Sequence, residues 1–302
     1  MRTSPPKKSQ SRRQRAARVI LGVASVLLAL PLALLWIASF LFSLRDRDMR
    51  EFAPGFAADS SGRAVRYYEA GPPDAEWNIV FIHGTPATAA IWGEQFRRPF
   101  PRARLLALDR PGFGGSGPGR RVPSLDDNAD AVGAVLSRLP ARKTILVGHS
   151  YGAPVALLAA LKLPNQVAGV VLIGGSVDPA QERVYAIQRL ADWPLVSWLE
   201  PGLLRQCNRE LLSLRQDLVR LRPRLASLAA PVVMLHGGKD AQVPPANMDY
   251  LRDRLASAGK SNLFERLFFP EYNHFIPWEH PEAVTDAIQT LADRLKSNNK
   301  RP

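Results

Sequence analysis

Apolar and polar positions along this 302-residue chain alternate between short unbroken apolar runs and longer stretches of helical spacing. Asn78-Ile-Val-Phe-Ile82, Arg104-Leu-Leu-Ala-Leu108, Ile145-Leu-Val147, Val167 to Ile173, Pro231-Val-Val-Met-Leu235 and Phe264 to Phe269 are runs of strand length. All but the last, which holds Glu265 and Arg266, lack the in–out alternation of a half-exposed strand, so they predict strands buried on both faces. Before them, Phe52 to Phe56 and Ala64 to Glu69 flank Asp59-Ser-Ser-Gly62, a turn composition, and predict a hairpin. Helical spacing predicts helices over Ile91–Phe100, Ser124–Leu139, Pro154–Leu161, Pro245–Ala258 and Pro281–Lys296. Ser124 is placed as a cap, with Asp126 and Asp127 in the first turn where the helix dipole favours acids. Strands alternating with helices predict an α/β fold: a mostly parallel sheet covered on both faces.

Two stretches break the alternation. Residues 176–229 hold leucines, Trp193, Trp198 and arginines in helical spacing without a strand, too long for a plain connection, and read as an inserted helical lid. Val19 to Phe42 is 24 residues without a charge. At about 1.5 Å per residue it can cross a hydrocarbon core of about 30 Å, and Pro31 is tolerated there. A cleaved leader would have a shorter apolar region and a better cleavage site than Ala38-Ser39 offers.

Charge changes the picture only at the N-terminus. The net charge is +13, but Arg2, Lys7, Lys8, Arg12, Arg13, Arg15 and Arg18 supply over half of that excess with no acid among them. The division is therefore a basic tail over 1–18, a retained transmembrane signal-anchor over 19–42, a charged linker over 43–51 and a catalytic domain over 52–302. The basic flank predicts a single-pass cell-membrane protein with a cytoplasmic N-terminus. The catalytic domain is then extracytoplasmic, periplasmic if the source is bacterial, and the lipid bilayer is a partner through 19–42. No lysine-rich stripe interleaved with aromatics points to nucleic acid. The single cysteine, Cys207, allows no intramolecular disulfide, and no Cys/His cluster has metal-ligand spacing.

The candidate chemistry sits at strand ends. Gly148-His-Ser150-Tyr-Gly152 lies between an apolar strand and an Ala/Leu helix, the G-x-S-x-G spacing of a nucleophile elbow. A Cβ at Gly148 or Gly152 would collide with the neighbouring strand or helix. Ser150 needs a base, and the base needs an orienting acid. Of five histidines, His149 adjoins the nucleophile and is expected to point to the other side of the turn; His83 and His236 precede glycines at strand ends, where a structural hydrogen bond is expected; His280 reads as a surface or cap residue. His274, in the loop after the last strand, can reach the strand ends. Asp240 and Asp178 each follow a strand, and either can meet it. The backbone N–H groups of Tyr151 and Thr85 are the candidate oxyanion donors, since Pro86 has none.

With His83-Gly-Thr-Pro86, Asp109-Arg-Pro-Gly-Phe-Gly-Gly-Ser116, Gly148-His-Ser-Tyr-Gly152, His236-Gly-Gly-Lys-Asp240, Asn273-His-Phe275 and Glu279-His-Pro-Glu282 in this order, the chain resembles the α/β-hydrolase family over about residues 52–296. The resemblance implies an eight-stranded, mostly parallel sheet with an antiparallel second strand, and a lid after the sixth. It implies a triad of Ser150, Asp240 and His274, with His83, Gly84, Gly148 and Gly152 as structural motif residues, and no cofactor or metal. The His-Gly-x-Pro piece is similar to that of epoxide hydrolases and haloalkane dehalogenases. Those carry an aspartate nucleophile, and Ser150 instead points to ester hydrolysis. The expected activity is a membrane-anchored serine hydrolase acting on a small-molecule, lipophilic ester, with Trp193 and Trp198 in an apolar acyl pocket. The same triad also serves C–C bond hydrolysis, perhydrolysis and acyl transfer, and the same fold serves binding proteins that do no chemistry.

Overall fold

A computed structural model describes residues 33–34, 36–37 and 49–298, apart from 73, 99, 101, 120–122 and 140–142. The basic tail, all but four residues of the Val19–Phe42 run and most of the 43–51 linker lie outside the described residues. Among the described residues, no helix is long and apolar enough to cross a membrane.

Eight strands form one sheet: β1 (Pro54–Ala58), β2 (Ala64–Ala70), β3 (Trp77–Ile82), β4 (Ala103–Leu108), β5 (Lys143–His149), β6 (Val167–Ile173), β7 (Val232–Gly237) and β8 (Phe264–Phe269). Their spatial order is β1-β2-β4-β3-β5-β6-β7-β8. β2 runs antiparallel to both its neighbours, and every other pairing is parallel. The β1–β2 turn is held by Asp59, whose Oδ1 accepts the N–H groups of Ser61 and Arg63. Gly62 there has a φ of 78°, a conformation that favours glycine.

The helices are α1 (Gly93–Arg97), α2 (Leu125–Leu136), α3 (Gly152–Lys162), α4 (Ala186–Ala191), α5 (Pro194–Leu199), α6 (Gly202–Arg224), α7 (Ala246–Ser257), α8 (Ile276–Glu279) and α9 (Pro281–Asn298). α1 is shorter than the spacing predicts, because its first turn is a separate 3₁₀ helix over Ala89–Trp92 and Arg98 is extended (φ −87°, ψ 144°). Arg98 precedes Pro99, which disfavours helical backbone at the residue before it. α2 starts as predicted, with the Ser124 hydroxyl accepting the Asp127 N–H at 3.1 Å.

Each face of the sheet carries its own core. Val80, Ile82, Leu106, Leu146, Val170 and Met234 pack under α2, α3 and α7. Ile79, Phe81, Ile145, Val147, Val171 and Leu235 pack under the 89–97 segment and α9. Burial on both faces explains why these strands read as unbroken apolar runs. The connection from β6 to β7 holds α4, α5 and α6. Of these, α6 sends Leu214, Leu218 and Leu221 into the core. α4 buries no residue and α5 only Ser197.

Candidate active site

β5 ends at His149, and α3 begins at Gly152. Between them Ser150 has a φ of 53°, one of two positive values at non-glycine residues among the described positions. Such a conformation costs roughly 1–3 kcal/mol and persists only where its surroundings over-determine it. Here the Ser150 N–H donates to Ile173 O at 2.9 Å, and Ser150 O accepts the Ala153 N–H at 3.0 Å. The flanking glycines are required by space. A Cβ on Gly148 would lie 2.3 Å from Gly152 O, and one on Gly152 the same distance from Ile82 O. Gly84 is under the same constraint: its Cβ would come within 2.8 Å of Ser150 Cβ.

His274 and Asp240 meet across the loops that follow β8 and β7. His274 Nδ1 and Asp240 Oδ2 are 2.7 Å apart. Asp240 Oδ1 accepts the N–H groups of Gln242 (2.9 Å) and Val243 (2.8 Å). Burial pushes the Asp240 carboxyl up, but the adjacent His236 and His274 rings and the loop N–H groups outweigh it and hold it well below the usual carboxylate range. Asp240 therefore stays ionised and accepts the His274 Nδ1–H, which leaves Nε2 as the unprotonated nitrogen of the ring. Asp178, the other candidate acid, does not reach His274. It closes its own turn by accepting the Ala180 N–H at 2.9 Å. Gly174, at φ 51°, passes beneath the pair; a Cβ there would lie 3.2 Å from both Asp240 Oδ2 and His274 Nδ1.

His149 departs from expectation. Strand alternation puts it with Ile145 and Val147 on the sheet face opposite α3, and that is the face from which the His274 loop arrives. Its ring lies 4.8 Å from the His274 ring and edge-on to Trp278, and its Nε2–H donates to His274 O at 3.0 Å. Burial and the neighbouring His274 lower its pKa to about 3, so it stays neutral. His149 thus steadies His274 from behind. His83 and His236 are fully buried and structural: His83 Nδ1–H donates to Gly84 O, His83 Nε2 accepts the Arg110 N–H, and His236 Nε2–H donates to Val243 O. His280 stacks on Tyr272, with ring centroids 3.6 Å apart.

Arg110 was legible only as part of a motif, and its surroundings make it the hub of the rim. Its guanidinium is fully buried and donates to His83 O and Gly84 O (2.9 Å each), Asn128 Oδ1 (3.0 Å) and both carboxylate oxygens of Glu210 on α6 (2.5 and 3.0 Å). It also lies 4.6 Å over the Tyr151 ring. One side chain therefore ties the loop carrying Thr85 to the elbow carrying Tyr151. Neither the Thr85 nor the Tyr151 N–H donates to a protein acceptor among the described residues. Cys207, also on α6, is pushed up to about 11 by burial, so its thiol stays protonated.

Two cavities meet at Ser150. One, of about 550 Å³, is lined by Pro86, Ala87, His149, His274, Phe275 and Trp278 among others and is largely apolar. The other, of about 430 Å³, runs past Thr85 and Tyr151 to Ser176, Gln181, Glu182 and Gln188 and is polar. Trp193 and Trp198 line neither; they are 61% and 73% exposed, which corrects the expectation that they form an acyl pocket. Helical spacing revealed their apolar character but not which way that face would turn.

A sequence model of the alpha/beta hydrolase family matches residues 79–287. A dihydrolipoyllysine-residue acetyltransferase component of an acetoin cleaving system from Pseudomonas putida is 31% identical over 261 residues, 76% of this chain and 67% of that protein. A pimeloyl-[acyl-carrier protein] methyl ester esterase from Edwardsiella ictaluri is 29% identical over 251 residues, 72% of this chain and 93% of that protein. Among solved structures, a membrane phospholipase A described as a bacterial virulence factor superposes with a TM-score of 0.61 at 21% identity, covering 95% of this chain and 99% of that one. With the eight-stranded sheet, the elbow and the matched segment in agreement, the chain belongs to the alpha/beta hydrolase family.

Proposed function

We propose that the chain is a serine hydrolase that cleaves a carboxylic ester through an acyl-enzyme. Ser150 Oγ attacks the ester carbonyl carbon while His274 Nε2 takes its proton. Asp240 holds the imidazole in the required tautomer and stabilises the imidazolium. The carbonyl oxygen, now an oxyanion, lies against the Thr85 and Tyr151 N–H groups. Collapse breaks the C–O bond, and His274 returns the proton to the departing alkoxide. Water then attacks the acyl carbon, giving a proton to His274, and the acid leaves as Ser150 is restored. The single observation that carries this reading is that Ser150 and an Asp240-bound His274 line one cavity.

The apolar cavity beside Pro86, Ala87, Phe275 and Trp278 suits the acyl group, and the polar one suits the alcohol side. The esterase relative supports ester hydrolysis, and the acetyltransferase-component relative makes acyl transfer the second reading. The uncharged Val19–Phe42 run, with its basic flank, supports a single-pass anchor with the catalytic domain outside the cytoplasm. The test is hydrolysis of p-nitrophenyl esters of graded chain length by the full chain and by Ser150→Ala. Turnover that vanishes in the variant supports the reading, and turnover that survives unchanged ends it. Incorporation of ¹⁸O from labelled water into the acid separates hydrolysis from transfer to an added alcohol.

A further inference from the structure

The segment of α4 and α5 carries large apolar side chains that stand mostly in solvent. Tyr185, Ile187, Leu190, Trp193, Leu195 and Trp198, six residues within one short segment, are 52–73% exposed. Single exposed apolar residues are ordinary, but a contiguous patch marks an interaction surface. Each such side chain forgoes the gain of burial in water, so the segment is built for another medium or partner.

Three observations identify it. First, the Trp36 indole N–H donates to Leu199 O at the end of α5, at 3.1 Å. Leu34, Trp36 and Ile37 belong to the uncharged 19–42 run, are helical, and are themselves 53–57% exposed. The outer end of that run and the tip of the insertion thus meet, from segments 163 residues apart, and both present exposed apolar side chains. Second, a groove of about 920 Å³ beside the tip is lined by Arg183, Arg189, Arg215 and Arg220, against one acid, Glu182. Glu182 is engaged by the Ser176 hydroxyl, and burial raises its pKa. Arg220 is paired with Asp217 at 3.1 Å, so the groove keeps a positive excess from the other three. Third, this groove shares Glu182, Arg183 and Tyr185 with the polar cavity that reaches Ser150. An apolar tip with a cationic shoulder matches acyl chains under anionic headgroups. A second copy meeting the same patch would bring the arginines of both against each other.

We propose that this face docks on an anionic lipid bilayer, with Trp193, Leu195 and Trp198 at the acyl boundary and Arg189 and Arg215 at headgroup level. The polar cavity then opens at the membrane surface. The proposal rests on the reading of 19–42 as a membrane anchor.

The test places an environment-sensitive fluorophore at Leu195→Cys, in the full chain carrying Cys207→Ser. The protein is reconstituted in phosphatidylcholine vesicles containing about one-third phosphatidylglycerol, with nitroxide-labelled lipid as quencher. Glu76→Cys, at the opposite end of the sheet, is the control. The expected result is emission at 195 reduced about threefold and unchanged emission at 76. An unquenched label at 195 in vesicle-bound protein overturns the proposal; if Trp198→Ser also abolishes self-association, the face belongs to a second copy. Alkaline carbonate extraction reads the anchor separately. A chain that carbonate strips, but whose label is quenched by added vesicles, loses the anchor and keeps the docking face. A chain that resists carbonate with an unquenched label does the reverse. In the double variant Leu195→Ser, Trp198→Ser, hydrolysis of an ester embedded in vesicles should fall about tenfold while a soluble short-chain ester is turned over unchanged. Equal loss on both overturns the proposal.

Discussion

The rim around Ser150 and the tip of the insertion are built in opposite ways within one chain. At the rim, the charged and ring groups are held by fixed partners: Asp240 accepts from three donors, His149 holds the His274 carbonyl, and the Arg110 guanidinium engages four residues. At the tip, α4 and α5 bury one side chain between them. A site that stabilises developing charge must be rigid before substrate arrives, because reorganisation during the reaction erodes the gain. A surface that meets a soft phase needs apolar area rather than fixed geometry. The two regions are joined by α6, whose Glu210 reaches the rim while its other end follows α5.

Substitutions should therefore divide sharply between the regions. The largest effect is at Ser150: Ser150→Ala should lower kcat by about 10⁴–10⁶ with the thermal transition retained, measured on a soluble ester. Asp240→Asn should cost about 10⁴ in kcat, because the imidazole loses its orienting acceptor. The same carboxyl should shape acid stability. Its folded pKa lies below the unfolded value of about 3.9, so its contribution is fully present above that pH and is lost as pH falls through the folded value. Chemical denaturation between pH 7 and pH 3 should show wild type losing more stability than Asp240→Asn over that interval.

Glu210→Gln comes next. It leaves the Arg110 charge buried without its counter-ion and should cost about 3–5 kcal/mol of stability, read as a lower denaturant midpoint. The smallest effect closes the series. Leu195→Ser, in a detergent-free soluble assay, should shift stability by about 0.5 kcal/mol or less, since the side chain stands mostly in solvent. A tip substitution as costly as Glu210→Gln would erase the contrast between the regions.

Much of this was legible from residue order alone. Unbroken apolar runs such as Asn78–Ile82 revealed strands covered on both faces, because burial on two sides removes alternation. Gly148 and Gly152 revealed a close approach because only hydrogen fits where backbone oxygens lie. The rest depended on contacts between distant segments. Position alone turns His149 away from Ser150, since the path of the His274 loop is not written beside it. Arg110 finds Glu210 one hundred positions later, inside an insertion whose helices carry no register signal against the sheet. Either Asp240 or Asp178 can meet His274 by position, and the Asp240–His274 contact and the turn that Asp178 closes on itself separate them. For Trp193 and Trp198, spacing revealed a helix but not the medium its apolar face would meet.

The central claim is that Ser150 is the nucleophile, primed by His274. The most direct measurement is intact-mass and peptide analysis of the folded full chain after reaction with a fluorophosphonate. One covalent adduct on the peptide carrying Ser150, absent in Ser150→Ala and formed far more slowly in His274→Ala, is the predicted result. Folded protein that takes no adduct, or takes it at another residue, would contradict the account.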